Sequence, residues 1–509
     1  MNKLLAHLRG PWTAPVTALL AGAMFVLALA PFHIWGLALL SPVLLAELLH
    51  GQRPGRAARL GWMYGIGLWG AGVWWLYISV HDYGNTPAWL SVIMVGLVAL
   101  IMGSLTALMA FLYRRFRLDR APLLTFAPLF VAFEWMRSWL FTGFPWLYTG
   151  YAFLDTPLEN YAPVLGVFGV GLMAIVSAQL LAALVKYGRH CWPAALMAPM
   201  IWAIGSALGL HVWTTVDPAR KLGVSIVQGN IPQDVKWQLE WRDKTLDIYR
   251  QWSKTEWGQD MVVWPEAAIP MFQYEAADFL AEMENNALTA HSTLVTGIPF
   301  ADLRKLDKQG IPPFYNSIAA IGQGYGLYFK QRLVPFGEYI PFESLLRGSI
   351  PFFSRDMSSF SAGTAEQPPL TVRDYRAGAA ICYEVAYPEL TRRNARNADF
   401  LITISNDGWF GNSIGPDQHL QMVRMRSLEN GKWFVRGTNN GISAIINEQG
   451  VIVAQAPQFR RTVLRGEVYM TSGTTPYLRY GYLPVMGLCG LMLLGSIFRI
   501  RRQKDCGAA

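Results

Sequence analysis

Two patterns of apolar and polar positions divide this chain. Before residue 211, long apolar runs alternate with short charged loops: approximately Trp12–Ala30, His33–Leu49, Leu60–Val80, Trp89–Tyr113, Pro122–Phe141, Pro163–Val185 and Pro193–Leu210, with an eighth from about Tyr482 to Phe498. Runs close to twenty residues long are what a helix needs to cross the hydrocarbon of a bilayer. The pattern therefore predicts an α-helical membrane bundle of eight transmembrane helices, the shorter second and seventh runs being read as spans from the company they keep. Between about 211 and 478 the apolar runs shrink to strand length, at Leu222–Gln228, Met261–Trp264, Ser292–Gly297, Ser317–Ile321, Ala377–Ile381, Phe400–Ile404, Ile442–Ile446 and Leu464–Val468. Polar, helix-like stretches at Asp234–Trp257, Ala276–Ala290 and Gln418–Gly431 separate several of them, which predicts an α/β layered domain with a largely buried sheet. The expected organisation is a seven-helix bundle over 1–210, an outer domain over 211–478, and an eighth helix with a tail over 479–509.

Composition sharpens the membrane reading. Hydrophobic residues make up 52% of the chain and charged residues only 15%, too apolar for an ordinary soluble protein. The net charge of +9 resides in clusters between the apolar runs: Lys3 and Arg9; Arg53, Arg56 and Arg59; Arg114, Arg115, Arg117 and Arg120; Lys186 and Arg189; Arg499, Arg501, Arg502 and Lys504. These fall on alternate loops, so the positive-inside rule places both termini in the cytoplasm and the 211–478 domain outside, in the periplasm of a cell with two membranes. A distribution of this kind marks topology and gives no binding stripe for nucleic acid. Ala28-Leu29-Ala30 resembles a signal-peptidase site, but the apolar run is long and Pro31 follows, so the segment is read as a retained span.

Within the bundle, Gly61, Gly65, Gly67, Gly70 and Gly72, and again Gly166, Gly169 and Gly171, are expected to let helix backbones approach closely. Glu134 and Arg137 lie three apart on one helical face and form a structural ion pair or meet a lipid headgroup or the outer domain. The aromatic loop that follows, with Trp146, is a lid or an anchor.

The outer domain carries the candidate chemistry. Cys382 is the only thiol there, at the end of the apolar run in GAAICYEVAYP, so an intradomain disulfide is excluded. The eight histidines have no companions at a recognisable metal spacing, and neither a metal nor a cofactor is expected. Glu266 closes the run VVWPE and Lys330 follows the aromatic run YF, each placed to project from a strand end into one cleft. A thiol attacks only as thiolate, which a neighbouring carboxylate alone disfavours. Glu as proton acceptor, with Lys offsetting the charge and holding an oxyanion alongside the Tyr383 N–H, resolves that conflict.

The motifs WPE, KQRLVPFGEYIP, CYEVAYP and SNDGWFG, in this order and between membrane runs, resemble the nitrilase, or carbon–nitrogen hydrolase, superfamily; the whole chain is similar to its membrane branch, the apolipoprotein N-acyltransferase family. The resemblance implies a nitrilase-like α-β-β-α sandwich on a membrane bundle, with Glu266 as general base, Lys330 as transition-state stabiliser and Cys382 as nucleophile. It also implies active-site support from Glu338, Tyr383 and Glu384, and substrate or gating contacts from Trp237, Trp146, Asn316 and Trp409. Arg436, Asn439 and Asn440 in RGTNNG match as well, with turn formation and substrate contact both open. His419, Met422 and Met425 are read as one face of an amphipathic helix against the sheet.

The implied reaction is ping-pong transfer of an acyl chain from a membrane phospholipid, phosphatidylethanolamine by family habit, through a Cys thioester to the α-amine of a diacylglyceryl apolipoprotein, in the inner membrane. Two other readings remain open from the residues. A membrane-tethered amidase or nitrilase would use water as acceptor, and a transporter or scaffold would need no Cys382. Acyl-chain preference and oligomeric state leave no mark in the sequence.

Overall fold

The computed structural model describes residues 9–306, 310–340 and 360–505. Lys3, Cys506 and the final Pro341 of the YIP motif lie outside the described residues. The chain divides into two compact units, the first comprising residues up to Tyr77, Ala88–Val212 and the stretch from Tyr480, the second Ile78–Pro87 with Trp213–Arg479.

In the first unit, four helices among the described residues are long and apolar enough to cross a membrane: Ala88–Arg115, a helical run over Pro157–Tyr187, Trp192–Gly209 and Leu483–Ile500. Thr13–Ala28, Gly36–Leu49 and Pro122–Met136 are apolar but shorter. The single run expected over Leu60–Val80 is two helices. Pro54–Gly72 ends where Val73 leaves helical geometry (φ −128°, ψ 24°), and a short helix, Leu76–His81, follows. The expected close packing occurs at two of the glycines in particular. A Cβ on Gly65 would lie 2.5 Å from Gly103 Cα, and one on Gly67 would lie 1.9 Å from the Leu19 carbonyl oxygen, so only glycine admits these crossings.

The second unit is a sandwich of two six-stranded sheets. Its strands are β1 (Thr214–Gln228), β2 (Met261–Val263), β3 (Thr293–Ala301), β4 (Phe314–Gly322), β5 (Gly326–Phe329), β6 (Leu370–Val372), β7 (Tyr375–Ile381), β8 (Phe400–Ser405), β9 (Phe434–Thr438), β10 (Ala444–Ile446), β11 (Ile452–Gln455) and β12 (Thr462–Gly473). One sheet runs β12-β1-β2-β3-β4-β5 and the other β11-β10-β9-β8-β7-β6. Each has three parallel strands at its heart, β1-β2-β3 and β7-β8-β9, with antiparallel strands outside.

Alternation along each strand builds the layers. Leu222, Val224 and Ile226 of β1, Met261 and Val263 of β2, and Phe400, Ile402 and Ile404 of β8 enter one core shared by the inner faces of both sheets. Val227, Val262 and Leu294 face the other way, to pack with Tyr249, Phe279 and Met283 from the helices Leu239–Ser253 and Ala277–Thr289. Ala380, Leu401 and Phe434 pack with Leu420 and Val423 of the helix Gly415–Asn430. The result is helix, sheet, sheet, helix. Strands buried on both faces read as continuous apolar runs, which is why β2 and β8 stand out in the sequence.

Candidate active site

Four strand ends deliver the candidate residues. Glu266 lies just past β2, Lys330 is the residue after β5, Cys382 follows β7 and Asn406 follows β8. Asn316 stands within β4 opposite Pro299 of β3. The carboxyl ends of parallel strands are where α/β folds gather ligand-facing groups, because the chain turns there and side chains lose their ladder neighbours.

The turn carrying Glu266 is tight. Ala267 adopts φ +46°, a left-handed conformation that costs a non-glycine residue on the order of 1–2 kcal/mol. A Cβ on Gly297 of β3 would lie 2.6 Å from Ala267 N and from Pro265 O, so the missing side chain lets the turn sit against the strand. Both carboxylate oxygens are then taken. Oε1 accepts from Asn316 Nδ2 at 2.7 Å and from Lys330 Nζ at 3.4 Å, and Oε2 accepts from the Asn406 N–H at 2.8 Å.

Lys330, 1% exposed, is shared by two acids. Its ammonium donates to Glu338 Oε1 at 2.8 Å, and Asn316 Nδ2 bonds that same oxygen at 3.0 Å. The other oxygen of Glu338 accepts from the Val334 N–H at 2.8 Å, closing the KQRLVPFGE turn on itself.

Cys382 also has a left-handed backbone, φ +49°, at the start of a short 3-10 turn, Cys382–Ala386. Two ties hold it. His419 Nε2 donates to the Cys382 carbonyl at 3.0 Å, and Glu384 Oε2 accepts from the Ile381 N–H at 2.7 Å. Glu384 is wholly buried and also accepts from the N–H groups of Gln331 (2.6 Å) and Arg332 (3.0 Å) and from the Tyr328 hydroxyl (3.0 Å). It is therefore a strut between the turn of Cys382 and the residues that follow Lys330.

The electrostatics follow from burial and charge. Burial pushes Glu266 up, but Lys330, Asn316, Lys236 and the Asn406 N–H together bring it below its usual value. Burial pushes Lys330 down, and Glu338, Glu266 and Cys382 more than reverse it, so the ammonium is firmly held. The Cys382 thiol is raised well above the usual range, first by burial and then by the Glu266 charge, with Lys330 opposing. The resting site thus holds a neutral thiol, an ionised Glu266 and a charged Lys330. A preformed thiolate is therefore not the ground state of Cys382. Burial alone lifts Glu384 to about 7 against its amide donors.

The other expected residues fall in several places. Tyr383 packs edge-on against Tyr387, ring centroids 5.2 Å apart. Trp237 is 36% exposed on the loop after β1. Trp409 lies in the turn after β8, its carbonyl accepting from Ser79 Oγ at 2.7 Å and its ring edge-on to Tyr83. Trp146 belongs to the first unit, where it is buried against Trp75.

The RGTNNG residues serve the frame. Arg436 is fully buried and donates to Asp407 Oδ2 at 2.6 Å, and Asn439 clasps Ile231 through both its N–H and its carbonyl. The helix Gly415–Asn430 is buried nearly all round instead of amphipathic, and His419 on it backs the turn of Cys382. Sequence reasoning missed Asn406 and Asp407 as partners, and it missed Lys236, whose Nζ donates to the Glu266 carbonyl at 2.8 Å. Lys236 looked like one more polar residue of a loop; a lysine directly before an aromatic in a stretch that leads into the cleft was the available signal.

The family of apolipoprotein N-acyltransferase N-terminal domains matches residues 21–180, and the carbon-nitrogen hydrolase family matches residues 223–475. Apolipoprotein N-acyltransferase of Azotobacter vinelandii is 44% identical over 506 residues, covering 97% of this chain and 97% of its own. That of Pseudomonas aeruginosa is 44% identical over 500 residues, 96% of each, and that of Vibrio parahaemolyticus is 37% identical over 519 residues, 99% of this chain and 100% of its own. On that evidence of shared sequence across both units, the chain belongs to the apolipoprotein N-acyltransferase family.

Proposed function

We propose that this protein moves an acyl chain from a membrane phospholipid to the N-terminal amine of a lipoprotein in two steps, through Glu266, Lys330 and Cys382. In the first, Cys382 Sγ attacks the ester carbonyl of the phospholipid while Glu266 takes the thiol proton. Lys330 and the Tyr383 N–H hold the oxyanion. Collapse of the tetrahedral adduct breaks the ester C–O bond, the Glu266 proton passes to the leaving glycerol oxygen, and lysophospholipid departs from a Cys382 thioester. In the second, the α-amine of a diacylglyceryl-cysteine attacks the thioester carbonyl, Glu266 accepts the amine proton, and the thiolate recovers it as the amide forms.

One observation carries this reading: a buried Glu266 carboxylate lies 3.4 Å from the buried Lys330 ammonium, and the buried thiol of Cys382 is near enough that, after burial, these two charges act on it most strongly, Glu266 raising and Lys330 lowering its pKa. A low-dielectric setting makes such groups worth far more than in water, since they are oriented before the charge develops. Glu338 keeps the Lys330 ammonium charged and in place, and Glu384 keeps the two turns in register. Phosphatidylethanolamine as donor and eight spans in the inner membrane complete the proposal, together with a periplasmic second unit and cytoplasmic termini, a topology supported by the alternate-loop Lys and Arg clusters. Trp237, the exposed aromatic on the cleft loop, is the proposed gate.

The test uses purified full-length protein, phospholipid with a labelled acyl chain and a diacylglyceryl peptide. Label in an amide on the peptide is the expected product. Label released only as free fatty acid would favour the hydrolase reading.

A further inference from the structure

Lys330 has an unassigned companion. Lys236 is 1% exposed, and its ammonium donates to the backbone carbonyl of Glu266 at 2.8 Å. That carbonyl belongs to the strained turn in which Ala267 is left-handed. An ammonium this deep is costly unless anions surround it, because desolvation is worth several kcal/mol per ion in a real protein interior. A simple cap for one carbonyl does not need a charge; an amide or hydroxyl would serve.

The count of ions around the thiol explains the choice. Two carboxylates, Glu266 and Glu338, face the single ammonium of Lys330. Asp407 lies behind Cys382 but is neutralised by Arg436, with His419 against it. Glu384 bonds only amide N–H groups and a phenol. Among the described residues, the reacting centre without Lys236 is therefore one positive charge short, and a proton leaving sulfur would add to an existing excess of negative charge. With it the carboxylates and ammoniums balance.

We infer that Lys236 is a positioning residue of the acyl-transfer site: its buried ammonium holds the turn that presents Glu266 and supplies the second positive charge against which Glu266 and Cys382 exchange their proton. This rests on the proposed roles of Glu266 and Cys382. Burial brings the Lys236 ammonium down to about 8, with Glu266 and then Cys382 resisting, which agrees with a cation held there by those two groups. Its place in the chain adds a second consequence. The loop is tied at Ile231 by Asn439, at Gln233 by Asn406 and at Lys236 by Glu266, so the residue next to the gate aromatic Trp237 is anchored to the base itself.

The sign of the test follows from charge. A cation stabilises the ionised pair, so removing it raises the pH at which Cys382 becomes reactive. The rate of Cys382 alkylation by iodoacetamide is followed in full-length protein in detergent as pH rises from about 5 to about 10, read from the mass of the Cys382 peptide so that the other thiols do not interfere. The thiol stays mostly protonated over this range, so the readout is the rate at each pH on the rising limb, and Lys236 contributes its charge only below about 8. Lys236→Met and Lys236→Gln are expected to alkylate about tenfold more slowly than wild type below that pH, with the gap closing above it. Lys236→Arg keeps its charge and is at least as fast as wild type throughout. The Gln variant keeps a donor for the carbonyl and separates loss of charge from loss of the turn. A gap in the Met and Gln variants that is the same at every pH, or slower alkylation in the Arg variant, overturns the inference. Wild-type protein that alkylates normally but never takes an acyl group from labelled phospholipid would defeat the proposed function separately.

Discussion

Both units bury charge, and they do so differently. In the first, Glu134 and Arg137 form a one-to-one pair at 3.4 Å, with Glu134 Oε1 also accepting from the N–H and hydroxyl of Thr149, and Arg137 donating to the Trp146 carbonyl. The guanidinium lies over the rings of Trp69 and Tyr148. In the second, one ammonium serves two carboxylates, a second ammonium stands behind one of them, and a thiol sits among them. A balanced pair walled in by aromatics is a fixture. A cluster whose members share protons and partners is poised, because a small change in one charge alters the protonation of the others.

The contrast breaks most sharply at the thiol. Cys382→Ala abolishes acyl transfer to the peptide while leaving the thermal inactivation of the detergent-solubilised protein within a few degrees of wild type; a variant that still acylates removes Cys382 from the chemistry. Arg137→Met does the opposite. It leaves Glu134 buried without its cation, at a cost of about 3–5 kcal/mol, and is read as a large fall in the inactivation midpoint with the acylation rate of the surviving folded protein unchanged. A raised KM for phospholipid at unchanged stability would turn the fixture into a headgroup contact.

Lys330→Arg keeps the charge but replaces a compact ammonium bridging Glu266 and Glu338 by a planar fork. A fall in acylation of about 10²–10³, roughly 3–4 kcal/mol, is expected without loss of fold; a mild effect would mean that charge alone suffices at this position.

Glu384 gives a pH signature. Its carboxyl is raised from 4.5 to about 7 in the fold, so the native protein holds a proton that the unfolded chain has released. Stability from this group is fully present below about pH 4.5 and is lost as pH rises through about 7, amounting to about 3 kcal/mol. Glu384→Gln flattens that dependence, which a series of inactivation midpoints across the range measures; an unchanged slope would assign the dependence elsewhere. The smallest effect is at the rim: Trp237→Ala slows acyl transfer by about tenfold with stability unaltered, and unchanged turnover in liposomes rules out the gate.

What could be read from the sequence was whatever depends on neighbours along the chain. The apolar runs of β2, β7 and β8 and the residues at their ends, Glu266, Cys382 and the SNDGWFG turn, were visible because strands buried on both faces are continuous hydrophobic stretches. β9 was not, since FVRGT carries Arg436 and Gly437, and an arginine reads as exposed until Asp407, 29 residues away, is known to meet it. Lys236 was hidden for the same reason, its burial being decided by a carbonyl 30 residues on. The helix Gly415–Asn430 misled because its Gln418, Gln421, Arg426 and Glu429 look like a solvent face, yet all are buried, with Arg426 paired to Glu429 at 3.2 Å. Trp146, read as part of a lid or an anchor, is a buried ring of the first unit, which its aromatic neighbours along the chain do not reveal. Protonation, finally, is set by three-dimensional burial. No spacing in the sequence could say that the thiol rests neutral.

The central claim is that this buried, neutral thiol becomes an acyl carrier when Glu266 takes its proton. Incubating the full-length protein with phospholipid bearing a labelled acyl chain, quenching and mapping the peptides tests it most directly. The account predicts a hydroxylamine-sensitive label on Cys382 that a diacylglyceryl peptide discharges, and that Glu266→Gln fails to form. A label on another residue, or acylated peptide made with no labelled Cys382 at any time, would contradict it.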